Sequence, residues 1–242
     1  MTTQSMPTQS MAQPVTSPRP LRLVAVSAGL SKPSSTRLLA DRLAESTVRQ
    51  LIGGEAGVEI AVTVVELRDL AVDIANNLVA GFPAPALREA LEAVDGADGL
   101  IVVTPVFAAS YSGLFKSFFD LIEPDTLSGT PVLLAATGGT ARHSLVLEHA
   151  LRPLFSYLHA LTVPSAVFAA TDDWGTTADT HAGGLPARIE RASAELAALL
   201  RRTAGTSGTS AATAVTSAGD RDPDEGAAEE VVPFEQLLAN LT

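Results

Sequence analysis

The chain has 242 residues, 46% of them hydrophobic, and these numbers predict one folded domain with tails. It contains no cysteine, which excludes disulfides and thiolate catalysis, and its four histidines lack the spacing of paired zinc ligands, so we expect no metal site. A formal net charge of −11 argues against nucleic acid as a partner, and no apolar run approaches the roughly 20 residues of a membrane helix.

The two ends of the chain differ in composition from the middle. Residues 1–20 are rich in Gln, Ser, Thr and Pro, so we expect a disordered tail without a secretory signal and a cytoplasmic protein. Residues 203–230 have the composition of a flexible linker, and hydrophobicity returns at residues 231–241. We expect that last segment to dock on its own domain, a sister subunit or another protein. The predicted domain therefore spans residues 21–202, and residues 203–242 form a linker with a hydrophobic end.

Between the tails, apolar runs alternate with segments of helical spacing. Strands are predicted at residues 21–26, 58–67, 99–104, 131–136 and 162–168. Helices are predicted from Ser35 to the glycines at 53 and 54, and at 70–78, 85–94, 112–121, 141–158 and 185–202. Pro105 should end the third strand, and Pro153 should kink a helix or begin a new turn. This alternation predicts an α/β fold, a flavodoxin-like doubly wound sheet of five parallel strands in the order 2-1-3-4-5.

The loop after the first strand is rich in hydroxyl groups. A helix N-terminus offers unpaired N–H groups and partial positive charge to an anion, so this loop predicts a phosphate site. The candidate donors are Ser27, Ser34, Ser35 and Thr36, with Ser34 or Ser35 as the N-cap. Neither a Walker A loop nor a Gly-x-Gly-x-x-Gly fingerprint is present. An ordinary cap on an ordinary turn is the alternative.

Two further loops follow the third and fourth strands. Their candidate residues are Pro105, Val106, Phe107, Ala108, Ala109 and Ser110, then Thr137, Gly138, Gly139 and Thr140. Small residues let the backbone approach a flat ring, the two glycines permit positive φ, and Thr140 can cap the next helix. Packing of Phe107 and Tyr111 in the core or at a subunit interface, and a plain turn at the glycines, are the alternatives. Three such loops at one sheet edge predict a single site for flavin mononucleotide (FMN).

These segments carry a family resemblance. Residues 34–39 (SSTRLL), 104–107 (TPVF), 111–116 (YSGLFK), 136–140 (ATGGT) with His143, and 150–153 (ALRP) resemble the NAD(P)H-dependent FMN reductase family, in particular reductases that serve two-component alkanesulfonate and luciferase-like monooxygenases. The likeness covers residues 21–200. It implies FMN and NADPH or NADH as reactants, hydride transfer to flavin N5, no catalytic side chain, a homodimer or homotetramer, and a monooxygenase partner.

One departure from the family pattern concerns charge. Many members place an Arg shortly before the phosphate-loop serine, where this chain offers only Lys32. Weak binding would suit an enzyme that releases reduced FMN as its product. The alternatives are an FMN-retaining quinone or azo reductase and a non-enzymatic electron carrier of flavodoxin type. The sequence leaves the choice between NADPH and NADH open.

Overall fold

The structure is a computed structural model that describes residues 19–53, 59–174 and 184–207, with side chains as far as Thr203. The chain divides into two compact units, Met1–Thr209 and Ser210–Thr242, and every described residue belongs to the first. The predictions for the N-terminal tail, the linker and residues 231–241 therefore fall almost wholly outside the described residues. The domain boundaries near residues 20 and 203 stay predictions.

A parallel sheet forms the centre of the fold, with helices on both faces. The strands are β1 (Leu21–Ser27), β2 (Ile60–Glu66), β3 (Gly99–Phe107), β4 (Ser110–Tyr111), β5 (Pro131–Gly138), β6 (Leu161–Thr162) and β7 (Val167–Ala170). The helices are α1 (Ser35–Ile52), α2 (Ala71–Ala80), α3 (Pro85–Asp95), α4 (Gly113–Phe119), α5 (Arg152–Tyr157) and α6 (Gly184–Ser207). Shorter 3-10 turns occupy Leu67–Leu70, Ala141–His143 and Thr171–Trp174, and Leu147–Leu151 forms a π-helical turn.

The strand order confirms the flavodoxin-like prediction. The order is β2-β1-β3-β5, and both β6 and β7 pair with β5 in parallel at the fifth position. The predicted count of five strands is wrong, because β4 adds an antiparallel partner to β3 and the fifth strand is divided. Between β6 and β7, Pro164 has no N–H to donate to a neighbouring strand. The Arg152 guanidinium donates hydrogen bonds to the carbonyls of Val163 and Pro164, each at 3.2 Å.

Pro105 does not end β3, contrary to the prediction. The strand continues to Phe107, and Pro105 stands opposite Thr137 of β5. The Val103 carbonyl faces β1, where it accepts from the Ala28 N–H at 2.9 Å. Because backbone groups alternate sides along a strand, Pro105 also faces the β1 side, where β1 has already ended. Its missing N–H therefore removes no ladder hydrogen bond.

The predicted single helix over residues 141–158 is also wrong. This part of the chain comprises a 3-10 turn, the π-helical turn and α5, which begins at Arg152. Pro153 lies in the first turn of α5, directly after the π-helical turn, in which the Arg152 N–H donates to the Leu147 carbonyl. The expectation that Pro153 begins a new turn is thus confirmed.

Two hydrophobic clusters lie on opposite faces of the sheet. One contains a group of aromatic rings, with the centroids of Phe119 and Phe155 4.9 Å apart, and the other packs α1 and α6 against the sheet. Strands β3 and β5 contribute alternate side chains to both clusters, which is why they read as continuous apolar runs. Among the described residues no single helix has the length and apolar character to span a membrane. The segments Leu67–Ala80 and Pro85–Asp95 have that length and apolar character only when they are taken together, and the chain bends by 89° between them.

Candidate functional site

The structure brings the three predicted loops to one edge of the sheet. Strands β1, β3 and β5 are parallel neighbours, so the loops that follow them open at their common carboxyl edge. The side chains of Thr36 and Thr137, both buried, join the first loop to the third by a hydrogen bond of 2.8 Å between their Oγ1 atoms. The second and third loops are joined where Pro105 pairs with Thr137. All three segments therefore adjoin one another at one edge of the sheet.

Hydroxyl groups at the first loop are arranged around the start of α1. Ser34, rather than Ser35, is the N-cap, and its Oγ accepts the Arg37 N–H at 3.2 Å. Accepting that bond leaves the Ser34 hydroxyl proton free to donate. In the Thr36–Thr137 pair one hydroxyl donates to the other, so one proton remains available there too. Ser35 is exposed beside them.

Ser27 and Gly29 complete the floor of this loop. The Ser27 side chain is 1% exposed, and its Oγ has no hydrogen-bond partner within the described part of the chain. A buried hydroxyl without a partner is costly, so Ser27, at the end of β1, is a candidate donor to a bound group. A Cβ at Gly29 would lie 2.0 Å from the Ser34 Oγ, so only glycine leaves room for the capping hydroxyl. These residues fit a phosphate group.

Ion pairs surround the loop on the β2 side. Arg37 contacts Asp41 at 2.8 Å and Glu66 at 2.5 Å, and the hydrogen bond to Asp41 raises the pKa of Arg37. Arg68 contacts Glu66 at 2.5 Å and donates to the Ser31 carbonyl at 2.6 Å. Both guanidinium groups that flank the loop are therefore paired with carboxylates.

Sequence reasoning missed Arg68 as a residue of this site. It lies 37 positions from Ser31 in a stretch without clear periodicity, and no motif marks it. Lys32, the cation that the sequence did indicate, is exposed on the loop and forms no ion pair with any other described residue.

The second loop is a two-residue hairpin between β3 and β4. Phe107 pairs with Ser110, and the tip residues Ala108 and Ala109 have φ of 47° and 64°. The left-handed conformation costs a residue with a Cβ about 1–2 kcal/mol, and strain of this kind concentrates at functional sites. Sequence reasoning named these alanines but missed the hairpin, whose usual signal is Asn-Gly or Asp-Gly. Phe107 is exposed at the rim rather than part of the core.

Hydrogen bonds fix the base of this hairpin. The Thr104 Oγ1 accepts the Ser112 N–H at 3.0 Å and donates to the Pro105 carbonyl at 3.0 Å. Ser112 in turn caps α4, because its Oγ accepts the Phe115 N–H at 3.1 Å. The hairpin is thus attached to both β3 and α4 by hydrogen bonds.

The two glycines of the third loop have different surroundings. Neither Gly138 nor Gly139 adopts the positive φ that glycine permits. A Cβ at Gly138 would lie 2.8 Å from the Phe168 ring, whereas the space around Gly139 is open to 4 Å. Thr140 caps the following 3-10 turn, as predicted, by accepting the Arg142 N–H at 3.0 Å. The open space beside Gly139 leaves room for a flat ring.

Comparison with known proteins agrees with this geometry. The parallel sheet and its strand order define a flavodoxin-like α/β protein. Residues 21–175 match the family model of NADPH-dependent FMN reductase, and the chain belongs to this family. No group of three potential metal ligands occurs among the residues that the structure describes.

Three similar proteins illustrate the relationship. The chain is 43% identical over 155 residues to an FMN reductase (NADPH) of Pseudomonas aeruginosa, covering 64% of this chain and 80% of that protein. It is 42% identical over 182 residues to the NADH-dependent FMN reductase SfnF of Pseudomonas fluorescens, covering 75% and 92%. An oxidoreductase of Corynebacterium diphtheriae, known from its X-ray structure, is 45% identical with a TM-score of 0.70, covering 75% and 98%.

Proposed function

We propose that this protein reduces FMN as an exchangeable substrate, with NADPH or NADH as hydride donor, and supplies the reduced flavin to a partner monooxygenase. The membership of its family makes the chain an NAD(P)H:FMN oxidoreductase. The observation that carries the proposal is the hydroxyl-rich first loop at the start of α1, which the Thr36–Thr137 hydrogen bond joins to the third loop at the same sheet edge. When bound, FMN supplies the ring that accepts hydride, and the nicotinamide supplies the hydride.

The chain's own residues orient the reactants. The first turn of α1 and the hydroxyls around it hold the phosphate, and backbone groups of the second and third loops position the ring. The proposed FMN-binding residues are Ser27, Ser34, Ser35, Thr36, Pro105, Val106, Phe107, Ala108, Ala109, Ser110, Thr137, Gly138, Gly139 and Thr140. No side chain is proposed as a catalytic acid or base, because hydride transfer requires orientation of two rings rather than proton transfer.

Charge pairing supports exchange of FMN rather than retention. The guanidinium groups of Arg37 and Arg68 lie beside the loop, but Asp41 and Glu66 already neutralise them. Apart from the exposed Lys32, the dianionic phosphate would therefore be held by neutral donors and the helix N-terminus, which bind it less strongly than free guanidinium groups do. The relatives above are named for reducing FMN, which also suits FMN as a substrate.

Three measurements distinguish this function from its alternatives. We expect colourless protein after gel filtration and rapid oxidation of NADPH or NADH when FMN is added. Protein that stays yellow and reduces quinones or azo dyes would favour the FMN-retaining reductase. Tightly bound FMN together with negligible NAD(P)H oxidation would favour a non-enzymatic electron carrier. FAD and riboflavin as acceptors then report which part of the flavin is recognised.

The phosphate assignment has its own test. Changing Ser34, Ser35 and Thr36 together to Ala removes the side-chain donors, each of which contributes about 1.5–3 kcal/mol to a charged partner. We expect the KM for FMN to rise at least about tenfold while the KM for riboflavin is little changed. The control is Thr126→Ala with Ser128→Ala, in the loop before β5 at the opposite edge of the sheet. Equal effects on FMN and riboflavin would remove the assignment.

Delivery to a partner requires that reduced FMN leaves the enzyme. Under anaerobic conditions, enzyme, NADPH and FMN on one side of a dialysis membrane should reduce cytochrome c on the other. No reduction beyond a control without enzyme would contradict the release of reduced flavin. A homodimer or homotetramer and a cytoplasmic location stay predictions.

A further inference from the structure

A cavity of about 420 Å³ lies between the edge strand β2 and helix α3. We call it the β2–α3 cavity. Residues 63–66 of β2 line one side, and a row of small side chains on α3, Ala86, Ala90 and Ala93, lines the other. Its volume falls within the range of about 300–1,000 Å³ that is usual for small-molecule sites. None of the proposed FMN-binding residues lines it, so its use is separate from theirs.

The cavity lies beside the loop that is proposed to hold the flavin phosphate. Arg37 and Glu66 belong to its lining, and their side chains are paired at 2.5 Å. Glu66 also pairs with Arg68, which donates a hydrogen bond to the Ser31 carbonyl at 2.6 Å. One guanidinium group therefore connects the lining of the cavity to the phosphate loop. A ligand whose phosphate lies at that loop can extend its next group into the cavity.

The wall that β2 provides has backbone groups without a sheet partner. Strand β2 is the last strand at its end of the sheet, and within the described part of the chain it pairs only with β1. An edge strand presents unpaired N–H and C=O groups along its free side. Adenine presents an amino donor beside a ring-nitrogen acceptor, and this pair complements one backbone C=O and one N–H.

The rest of the lining suits a neutral group that carries hydrogen-bond donors. The alanines of α3 and the side chain of Leu70 supply apolar contact for a flat ring. Asp69 and Glu89 add carboxylates that can accept hydrogen bonds from ribose hydroxyls. Arg37 is the one cation among the described lining residues, and it is already paired with Asp41 and Glu66. The cavity therefore favours a nucleoside over a phosphate group.

We propose that the β2–α3 cavity binds the adenosine half of a dinucleotide. FAD and NAD(P)H both carry this group, and the geometry favours FAD. The adenosine of FAD follows directly after its two phosphates, and this assignment rests on the proposed function, which places the flavin phosphate at the first loop. The 2′-phosphate of NADPH would instead meet the carboxylates of Asp69 and Glu89.

The first test fills the cavity. Ala86 is exposed in the first turn of α3, so Ala86→Trp places a large ring in the cavity without disturbing the core. We expect the KM for FAD to rise at least about tenfold while the KM for FMN is unchanged. Glu92→Trp, at an exposed position on the same helix outside the cavity lining, is the matched control and should leave both values unchanged. Retained FMN reduction shows that each variant is folded.

The second test removes the carboxylates and measures binding directly. Asp69→Ala with Glu89→Ala should weaken binding of oxidised FAD about tenfold in titration calorimetry, with binding of FMN unchanged. Glu92→Ala with Asp95→Ala removes the same charge from α3 outside the cavity lining and should leave FAD binding unchanged.

The KM values for NADPH and NADH identify the source of the adenosine. A rise in these two values for Ala86→Trp, with FAD unaffected, would assign the cavity to the hydride donor and retain the adenosine site. If Ala86→Trp and the double alanine variant leave FAD, NADPH and NADH unaffected, the proposal is overturned. A parent chain that reduces FMN but neither binds nor reduces FAD, with both donor KM values unchanged by Ala86→Trp, overturns it too. Only a parent chain that reduces no flavin would contradict the proposed function itself.

Discussion

At the scale of single residues, the buried hydroxyl of Ser27 separates a binding role from a structural one. Its Oγ is unpaired, so Ser27→Ala should raise the free energy of unfolding of the ligand-free protein by about 1 kcal/mol while it weakens FMN binding. If Ser27 had only a structural role, its replacement would not raise the free energy of unfolding and weaken FMN binding at the same time. Denaturant unfolding and the KM for FMN measure the two effects.

Ser46 provides a matched control for that prediction. Its Oγ is also buried and has no hydrogen-bond partner among the described residues, but it lies in the middle of α1, away from the three loops. Ser46→Ala should raise stability in the same way and leave the KM for FMN unchanged. If both variants leave FMN kinetics unaffected, Ser27 is not a ligand-binding residue.

Arg68 acts on the phosphate loop through the backbone. It donates to the Ser31 carbonyl and is itself held by Glu66, so Arg68→Ala should release the loop. We expect the KM for FMN to rise about tenfold, the cost of roughly one charged hydrogen bond, with kcat and the KM for riboflavin nearly unchanged.

Conservative and distant variants test that role. Arg68→Lys keeps the charge and should restore part of the affinity for FMN. Arg88→Ala, on the exposed side of α3, should have no effect. An equal rise in the KM for riboflavin would mean that Arg68 supports the fold generally rather than the phosphate loop.

At the scale of elements, the Thr36–Thr137 hydrogen bond ties the first turn of α1 to the end of β5. Because both hydroxyls are buried, Thr36→Val or Thr137→Val alone leaves the other unpaired and should cost about 1–3 kcal/mol of unfolding free energy. The double variant should cost less than the sum of the two. A double-mutant cycle by denaturant unfolding measures this coupling, and strict additivity would show that the bond contributes nothing.

The hairpin tip between β3 and β4 stores backbone strain. Ala108 and Ala109 are both left-handed, and glycine adopts that conformation without a Cβ clash. Ala108→Gly and Ala109→Gly should each stabilise the protein by about 1 kcal/mol in thermal unfolding. Ala86→Gly, in the first turn of α3, should instead destabilise it by a similar amount. Destabilisation by the hairpin variants would show that the tip is not strained.

The elements differ in how well the sequence predicts them. The apolar runs of β1, β3 and β5 and the spacing in α1 are local signals, and the order of a doubly wound sheet then brings the three loops to one edge. The left-handed alanines, the π-helical turn and the division of the fifth strand depend on tertiary contacts. The Arg152 guanidinium, for example, donates hydrogen bonds to carbonyls 11 and 12 residues away. Arg68 illustrates the same limit at the site, because its link to Ser31 has no local signature.

At the scale of the whole molecule, two ion pairs attach peripheral segments to the sheet. Asp98, before β3, accepts from the Arg19 guanidinium at 2.7 Å and from the Arg22 N–H at 2.7 Å. Glu148 pairs with Arg152 at 2.6 Å. Burial raises the pKa of Asp98, but the hydrogen bonds from Arg19 and Arg22 outweigh it, so the pKa lies below its usual 3.8. The hydrogen bond from Arg152 lowers the pKa of Glu148 from 4.5.

These lowered pKa values predict a loss of stability in acid. A carboxylate whose pKa is lower in the folded than in the unfolded chain contributes stability at pH values above the unfolded pKa. That contribution is lost as the pH falls through the folded pKa, so the decline should begin near pH 4.5 for Glu148 and near 3.8 for Asp98 and continue below these values. Urea unfolding between pH 3 and pH 7 should show a shallower acid slope for Asp98→Asn and Glu148→Gln. Glu89→Gln, at an exposed carboxylate on α3, is the control, and equal slopes for all three variants and the parent chain would contradict the role of the two pairs.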